Sequence, residues 1–269
     1  MNWNRCAHRI PRSVYFRKIK TCYVGANGGR FGAMTNNLSV VINADAQQVW
    51  TMLREPSLVA QWHGWEADDL SDEIKQIYFN TDVVEGPDHT SLTVNGGDVF
   101  ELHPVSGGTE VRITRVALDH DSEWADWDED ITQGWLTFLH QLRFALERHP
   151  HGHRRTHFVS VSGKGGPAIE KLGLGDLPPV GEEYSLTLST GEKISGKVWF
   201  KSRHQVGLTV HSYAEHGEGL LIVAEQLPIP EKRPDGGSMV IASTYDLGAH
   251  TLADIRSSWD NWKAENSGS

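Results

Sequence analysis

Through Asp128–His149 the apolar positions Ile131, Trp135, Phe138, Leu142 and Ala145 recur at steps of four, three, four and three, with Leu139 and Leu146 widening the stripe. That period predicts an amphipathic helix buried along one side. Asp128, Glu129 and Asp130 stand at its start, and Arg143, Arg148 and His149 fall toward its end, the signs a helix dipole favours. Pro150 and Gly152 stop it. Ahead of it, Leu38–Ile42 reads as a strand rich in β-branched residues. Asp45 with Gln48 makes a capping-box start for a helix carrying Ala46, Val49, Trp50 and Leu53 on one side. Pro56 interrupts that helix, and Ser57 caps a second short one through Trp62.

Four strand candidates come next: Glu73–Phe79, Thr90–Val94, Asp98–Leu102 and Val111–Val116. Asn95-Gly96-Gly97 and Ser106-Gly107-Gly108 supply hairpin turns between them. Alternation separates Phe100 and Leu102 from Glu101 and His103, and Val111 and Ile113 from Arg112 and Thr114. Strand, helix pair, antiparallel meander and long helix together predict an α+β domain with helices on one face of a curved sheet. His149–Thr156 reads as a polar, turn-rich linker. Beyond it lie strand candidates at His157–Val161, Tyr184–Ser189, Ile194–Phe200, Val206–Val210, Leu220–Glu225 and Met239–Tyr245. A short helix is expected at Pro167–Leu172. A closing helix at Leu252–Trp262 carries Leu252, Ile255, Trp259 and Trp262 on one stripe. The order repeats the first half in abbreviated form, so the expected domains are 34–150 and 157–269, joined by 151–156.

The stretch V-W-T-M-L-R-E-P-S-L-V-A-Q-W-H-G-W, Val49 to Trp65, resembles the opening of the START-like SRPBCC superfamily. Within that superfamily the chain looks most like the branch named for the activator of the heat-shock-90 chaperone ATPase. I-T-Q-G-W-L-T-F-L-H-Q-L resembles that branch's closing helix, and the likeness covers about Leu38 to Pro150. The resemblance implies a helix-grip fold, in which the long helix closes a seven-stranded antiparallel sheet over an apolar cavity. The strands needed to reach seven are expected within Glu66–Glu85. The resemblance also implies ligand contacts at Trp50, Trp65, Phe100, Trp135, Phe138 and Leu142, and makes a chaperone a second candidate partner.

Composition narrows the function. Charged residues are 22% and hydrophobic ones 38% of 269 residues, the balance of a globular chain. A net charge of −10 argues against a nucleic-acid partner, and no apolar run approaches the roughly 20 residues of a membrane span. Met1–Ala33 carries seven Lys/Arg and no acid, and this basic leader is expected to lie outside the mature fold, with Met34 the start of the globular pattern. Cys6 and Cys22, both in the leader, form no disulfide framework, which makes a reducing cytoplasm the expected location.

The candidate chemistry is thin. His149, His151, His153 and His157 have a spacing that can converge on zinc, but they lack Cys partners and read as a solvated linker. The acidic run Asp119, Asp121, Glu123, Asp126, Asp128, Glu129 and Asp130 lacks the glycine and bidentate Glu of a calcium loop. No G-x-S-x-G elbow is present, and Gly163-Lys164-Gly165-Gly166 lacks phosphate-loop spacing. His63, His140 and Glu101 are the polar candidates for a cyclase- or aromatase-like enzyme, yet they offer no obvious acid–base pair. The leading expectation is a non-catalytic binder of an apolar small molecule, with no metal and no cofactor. A chaperone-docking module and a cavity enzyme are the alternatives.

Overall fold

The computed structural model describes residues 38–94, 97–116 and 125–267. The basic leader, Met34, Asn95-Gly96, and the stretch holding Asp119, Asp121, Glu123 and Trp124 lie outside the described residues. The chain gathers into two compact units, one running to Ala60 and over Ala67–Thr132, the other formed by Gln61–Glu66 and Gln133–Ser269.

The first unit begins with β1, Leu38–Ile42, and α1, Ala46–Arg54. The capping box is complete: Asp45 Oδ1 accepts from the Gln48 amide at 2.7 Å, and Gln48 Oε1 accepts from the Asp45 amide at 3.0 Å. Pro56 does not merely interrupt α1. It occupies the first turn of α2, Pro56–Val59, where its fixed φ suits helix entry. Ser57 is therefore not the cap, and the helix stops short of Trp62. A larger correction is α3, Leu70–Tyr78, where Glu73–Phe79 reads as a strand in the sequence. Its buried residues are Glu73, Ile74, Ile77 and Tyr78, and the steps of three and four from Ile74 to Ile77 and Tyr78 are helical.

Strands β2 (Val84–Glu85), β3 (Ser91–Val94), β4 (Asp98–Val105) and β5 (Gly108–Thr114) complete an antiparallel sheet in the order β1-β5-β4-β3-β2. Five strands are described, not seven: within the expected stretch Glu66–Glu85, Leu70–Tyr78 forms α3 and Val84–Glu85 supplies the short β2. Val40 pairs with Val111, Ile113 with Phe100, and Phe100 with Leu92. The buried side chains of this sheet are therefore neighbours on one face, while Glu101, Arg112 and Thr114 occupy the other.

Helix α4, Asp128–Arg148, matches the expected span to within one residue. From Gln133 onward it groups with the second unit, so the units part inside this helix and not at residues 151–156. The second unit holds β6 (Arg154–Ser162), α5 (Ala168–Lys171), β7 (Glu183–Thr187), β8 (Lys193–Lys201), β9 (Gln205–Val210), β10 (Gly219–Gln226), β11 (Gly237–Tyr245) and α6 (Ala249–Asn266). Its antiparallel sheet runs β6-β11-β10-β9-β8-β7. The half expected to be abbreviated thus has the larger sheet among the described residues.

Alternation divides β10 between two cores. Leu221 and Val223 join Val159, Leu208 and Val240 beneath Ile255, Trp259 and Trp262 of α6. Leu220 and Ile222 join Trp199, Phe200 and Tyr245 with Phe144 of α4. The supposed linker is partly strand as well: β6 begins at Arg154, which is buried with Thr156.

Candidate functional site

In the first unit the expected ligand residues are Trp50 and Phe100. Helix α1 turns Val49, Trp50, Met52 and Leu53 inward, and Phe100 is fully buried, its ring 6.3 Å from that of Tyr78. Trp50 is 5% exposed. The ring of His89 lies flat on it, with centroids 4.5 Å apart and planes 9° from parallel.

His89 itself is exposed, at the end of the single turn Pro87–His89. Asp88 (φ 52°) and His89 (φ 58°) are both in the left-handed region. Asp and His enter that region more readily than most residues, but two in succession re-aim the chain sharply. The turn is fastened at its ends: Gly86 N–H donates to Ser91 O at 2.8 Å, and Leu102 N–H to Thr90 O at 2.8 Å. Sequence patterning did not pick out His89, because no glycine or asparagine marks its turn as left-handed.

The other four expected contacts, Trp65, Trp135, Phe138 and Leu142, fall in the second unit. Trp135 and Phe138 meet edge to face, with centroids 5.9 Å apart. The buried ring of His63 sits 4.6 Å from Phe138 and 6.3 Å from Trp135. Leu142 is fully buried. Trp65 is elsewhere, half-buried and stacked on Phe158 of β6 at 4.0 Å.

The segment 61–66 is held by β6. The Arg154 guanidinium donates to Trp62 O (3.3 Å), His63 O (2.9 Å), Gly64 O (3.2 Å) and Gln141 Oε1 (2.9 Å). Glu66 accepts from Arg155 at 2.5 Å and from Arg256 at 3.2 Å. Arg154 was invisible as a functional position because a buried arginine next to a turn reads as linker.

Of the three polar candidates, Glu101 belongs to the first unit and His63 and His140 to the second. Glu101 faces outward and accepts from Thr114 Oγ1 at 3.2 Å. His140 lies flat on Phe200, with centroids 3.6 Å apart. Burial, with a smaller push from the Arg143 cation, drives its pKa down to about 3. It is therefore a neutral ring near pH 7 and holds no proton to give as an acid. His63 and His140 share no described ring neighbour.

The histidine run is divided too. His149 stacks on Tyr245 at 3.8 Å, with Nε2 2.6 Å from Glu218 O, and His157 Nε2 is 3.1 Å from Asp260. Asp128 of the acidic run pairs with Arg115 at 2.9 Å at the start of α4. Among the described residues no group of three His, Cys, Asp or Glu side chains could hold a metal ion, and no helix is long and apolar enough to cross a membrane.

No family model matches the chain, and no curated protein matches its sequence. Among solved structures it is similar to DynU16, a protein of the dynemicin biosynthetic locus, at 14% identity and a TM-score of 0.30, over 86% of this chain and 96% of that one. It is similar also to StfQ, the di-domain ARO/CYC of the steffimycin biosynthetic pathway, at 12% identity and a TM-score of 0.31, over 87% and 94% of the two chains.

Proposed function

We propose that the chain is a cytoplasmic binder of an apolar small molecule, built on a START-like helix-grip plan and non-catalytic at that binding site. The observation that carries this reading is the Trp50–His89 stack. An indole at the edge of an apolar interior is covered by one exposed imidazole on a sharply turned loop. Swinging that ring aside opens the apolar face of the first sheet without breaking a strand. Affinity then comes from apolar ligand surface leaving water, about 25 cal/mol per Å² before ordering costs.

Trp50 and Phe100 are the contacts proposed in the first unit. Trp65, Trp135, Phe138 and Leu142 remain proposed contacts in the second, with His63 the polar group nearest to Phe138. Glu101 is hydrogen-bonded on the polar face of its own sheet and His140 is a buried neutral ring, which supports binding over turnover.

Native mass spectrometry on protein purified gently from its own host tests this directly. A discrete added mass that vanishes on denaturation is expected. Trp50→Ala should lose that mass, and the loss must exceed what its destabilisation of roughly 3–5 kcal/mol explains. A bare mass, together with no uptake of an apolar fluorescent probe, overturns the reading. The ATPase of a purified heat-shock-90 chaperone is expected to be unchanged at saturating chain; stimulation would replace binding by docking.

A further inference from the structure

A second group of polar side chains lies on the second unit, where β7, β8 and the turn after β9 meet. Ser195 Oγ is 3.2 Å from His211 Nδ1, and His211 Nε2 is 3.3 Å from Glu218 Oε1. A neutral imidazole carries one N–H, and a carboxylate can only accept. Nε2 therefore carries the proton toward Glu218, which leaves Nδ1 to accept from the Ser195 hydroxyl. Glu218 is held at its carboxylate and at its backbone carbonyl. Thr209 Oγ1 donates to Glu218 Oε1 at 2.8 Å, and His149 Nε2 approaches the Glu218 carbonyl at 2.6 Å.

Beside this relay is an open depression of about 440 Å³, lined by Glu183, Tyr184, Ser185, Ser195, Gly196 and His211. Gly196 is required there, since a Cβ would lie 2.1 Å from Thr209 O. Ser185 is the direct cross-strand partner of Ser195, so its hydroxyl stands next to any group bonded to Ser195.

We infer that Ser195, His211 and Glu218 form a hydrolytic site for small esters with good leaving groups. His211 Nδ1 takes the proton from Ser195 Oγ as Oγ bonds to the ester carbonyl carbon. The resulting oxyanion accepts a hydrogen bond from Ser185. When it collapses, the bond from carbon to the alcohol oxygen breaks, and the imidazolium returns the proton to the leaving alkoxide. Water, deprotonated by the same imidazole, then bonds to the acyl carbon; the bond from that carbon to Ser195 Oγ breaks, the acid leaves, and the imidazolium returns its proton to Oγ. Side-chain exposure at His211 is 61%, so the site is wet, and the oxyanion gains less there than in a closed pocket. That restricts the class to activated esters and excludes amides. The polar lining favours a short acyl group.

The test uses the full chain with p-nitrophenyl acetate as substrate and a fluorophosphonate as covalent probe. Saturable hydrolysis is expected, along with labelling at Ser195. Ser195→Ala should lose both, with a rate drop of about 100-fold or more. Ser185→Ala should lower kcat with KM unchanged. Glu218 acts through His211 as a positioning residue, so Glu218→Gln should lower kcat with KM unchanged, and Glu218→Asp should restore part of the loss. The charged groups at the depression are Glu218 and Glu183, and Tyr184 lines it as a phenol held neutral by burial. Hydrolysis equal in wild type and Ser195→Ala, or labelling at another residue, overturns the assignment. Ser185 is exposed and Ser195 partly so, so melting temperatures of these two variants should stay close to wild type and a lost rate cannot be ascribed to unfolding.

Discussion

Along β1, β3, β4 and β5 a buried side chain is followed by a partly or fully exposed one, whereas Gly219–Ala224 of β10 and the whole of β9 are buried without a break. The first sheet therefore has one apolar face and one polar face. On the polar face Glu110 and Arg112 pair at 3.2 Å and Val41 is half exposed. In the second sheet, α6 lies over one apolar face and Phe144 packs on the other. The difference separates two duties. Over β9 and β10 the second sheet is enclosed on both sides and its value there is rigidity, while its β7–β8 edge is open to solvent. A sheet with one working face can exchange its cover.

Removing the doubly covered sheet should have the largest effect. A chain ending at Pro150 loses Arg154, Thr156 and Phe158, and with them the fastening of residues 61–66. It is expected to be insoluble or unfolded by circular dichroism. A soluble, cooperatively melting product would mean the first sheet stands alone.

A smaller break is Trp259→Ala. It deletes a fully buried indole that packs edge to face on Trp262 and donates to Tyr213 Oη at 3.0 Å. The expected cost is about 3–5 kcal/mol in chemical denaturation. A loss under about 1 kcal/mol would show that α6 is a loose cover.

Acid should sharpen the contrast most gently. His140, His149 and His157 all belong to the second unit, and burial holds each below its ordinary proton affinity. The unfolded chain takes up these protons near pH 6.5 while the folded chain resists. Stability is therefore full above pH 6.5 and falls as pH drops, through a window that for His140 reaches about 3. Glu192, raised by burial, works in the opposite direction near the carboxylate range. Melts at pH 7 and pH 5 should differ by less in His140→Phe, which keeps the stack on Phe200 and cannot titrate. An unchanged difference would clear His140 of the effect.

Legibility in the sequence followed how each element is covered. β1, α4 and the Asp45 capping box were readable because local pattern and tertiary burial agree there. The strands of the second unit were also found, since continuous apolar runs between turn residues admit few other readings. α3 was misread because a nine-residue helix containing Ile74, Ile77 and Tyr78 gives too few periods to distinguish from a strand. β6 was clipped because Arg154 and Thr156 are polar yet buried, and polarity reads as exposure.

The site was legible in its apolar half only. Trp50 and Phe100 carry hydrophobic signal. His89 depends on backbone angles that its sequence does not announce, and Ser195, His211 and Glu218 meet through register and turns, not a contiguous motif.

The clasp between Arg154 and residues 61–66 also has a meaning for the order of synthesis. Glu66 leaves the ribosome long before its partners, and Arg256 follows it by 190 positions. At ~5–20 residues per second that is on the order of 10–40 s of translation. The carbonyls of Trp62, His63 and Gly64 wait a shorter time for Arg154, which follows Gly64 by 90 positions, on the order of 5–18 s at that rate. Residues 61–66, though made early, therefore complete their hydrogen bonds only after β6 has been synthesised, so this segment folds out of the order in which it is made.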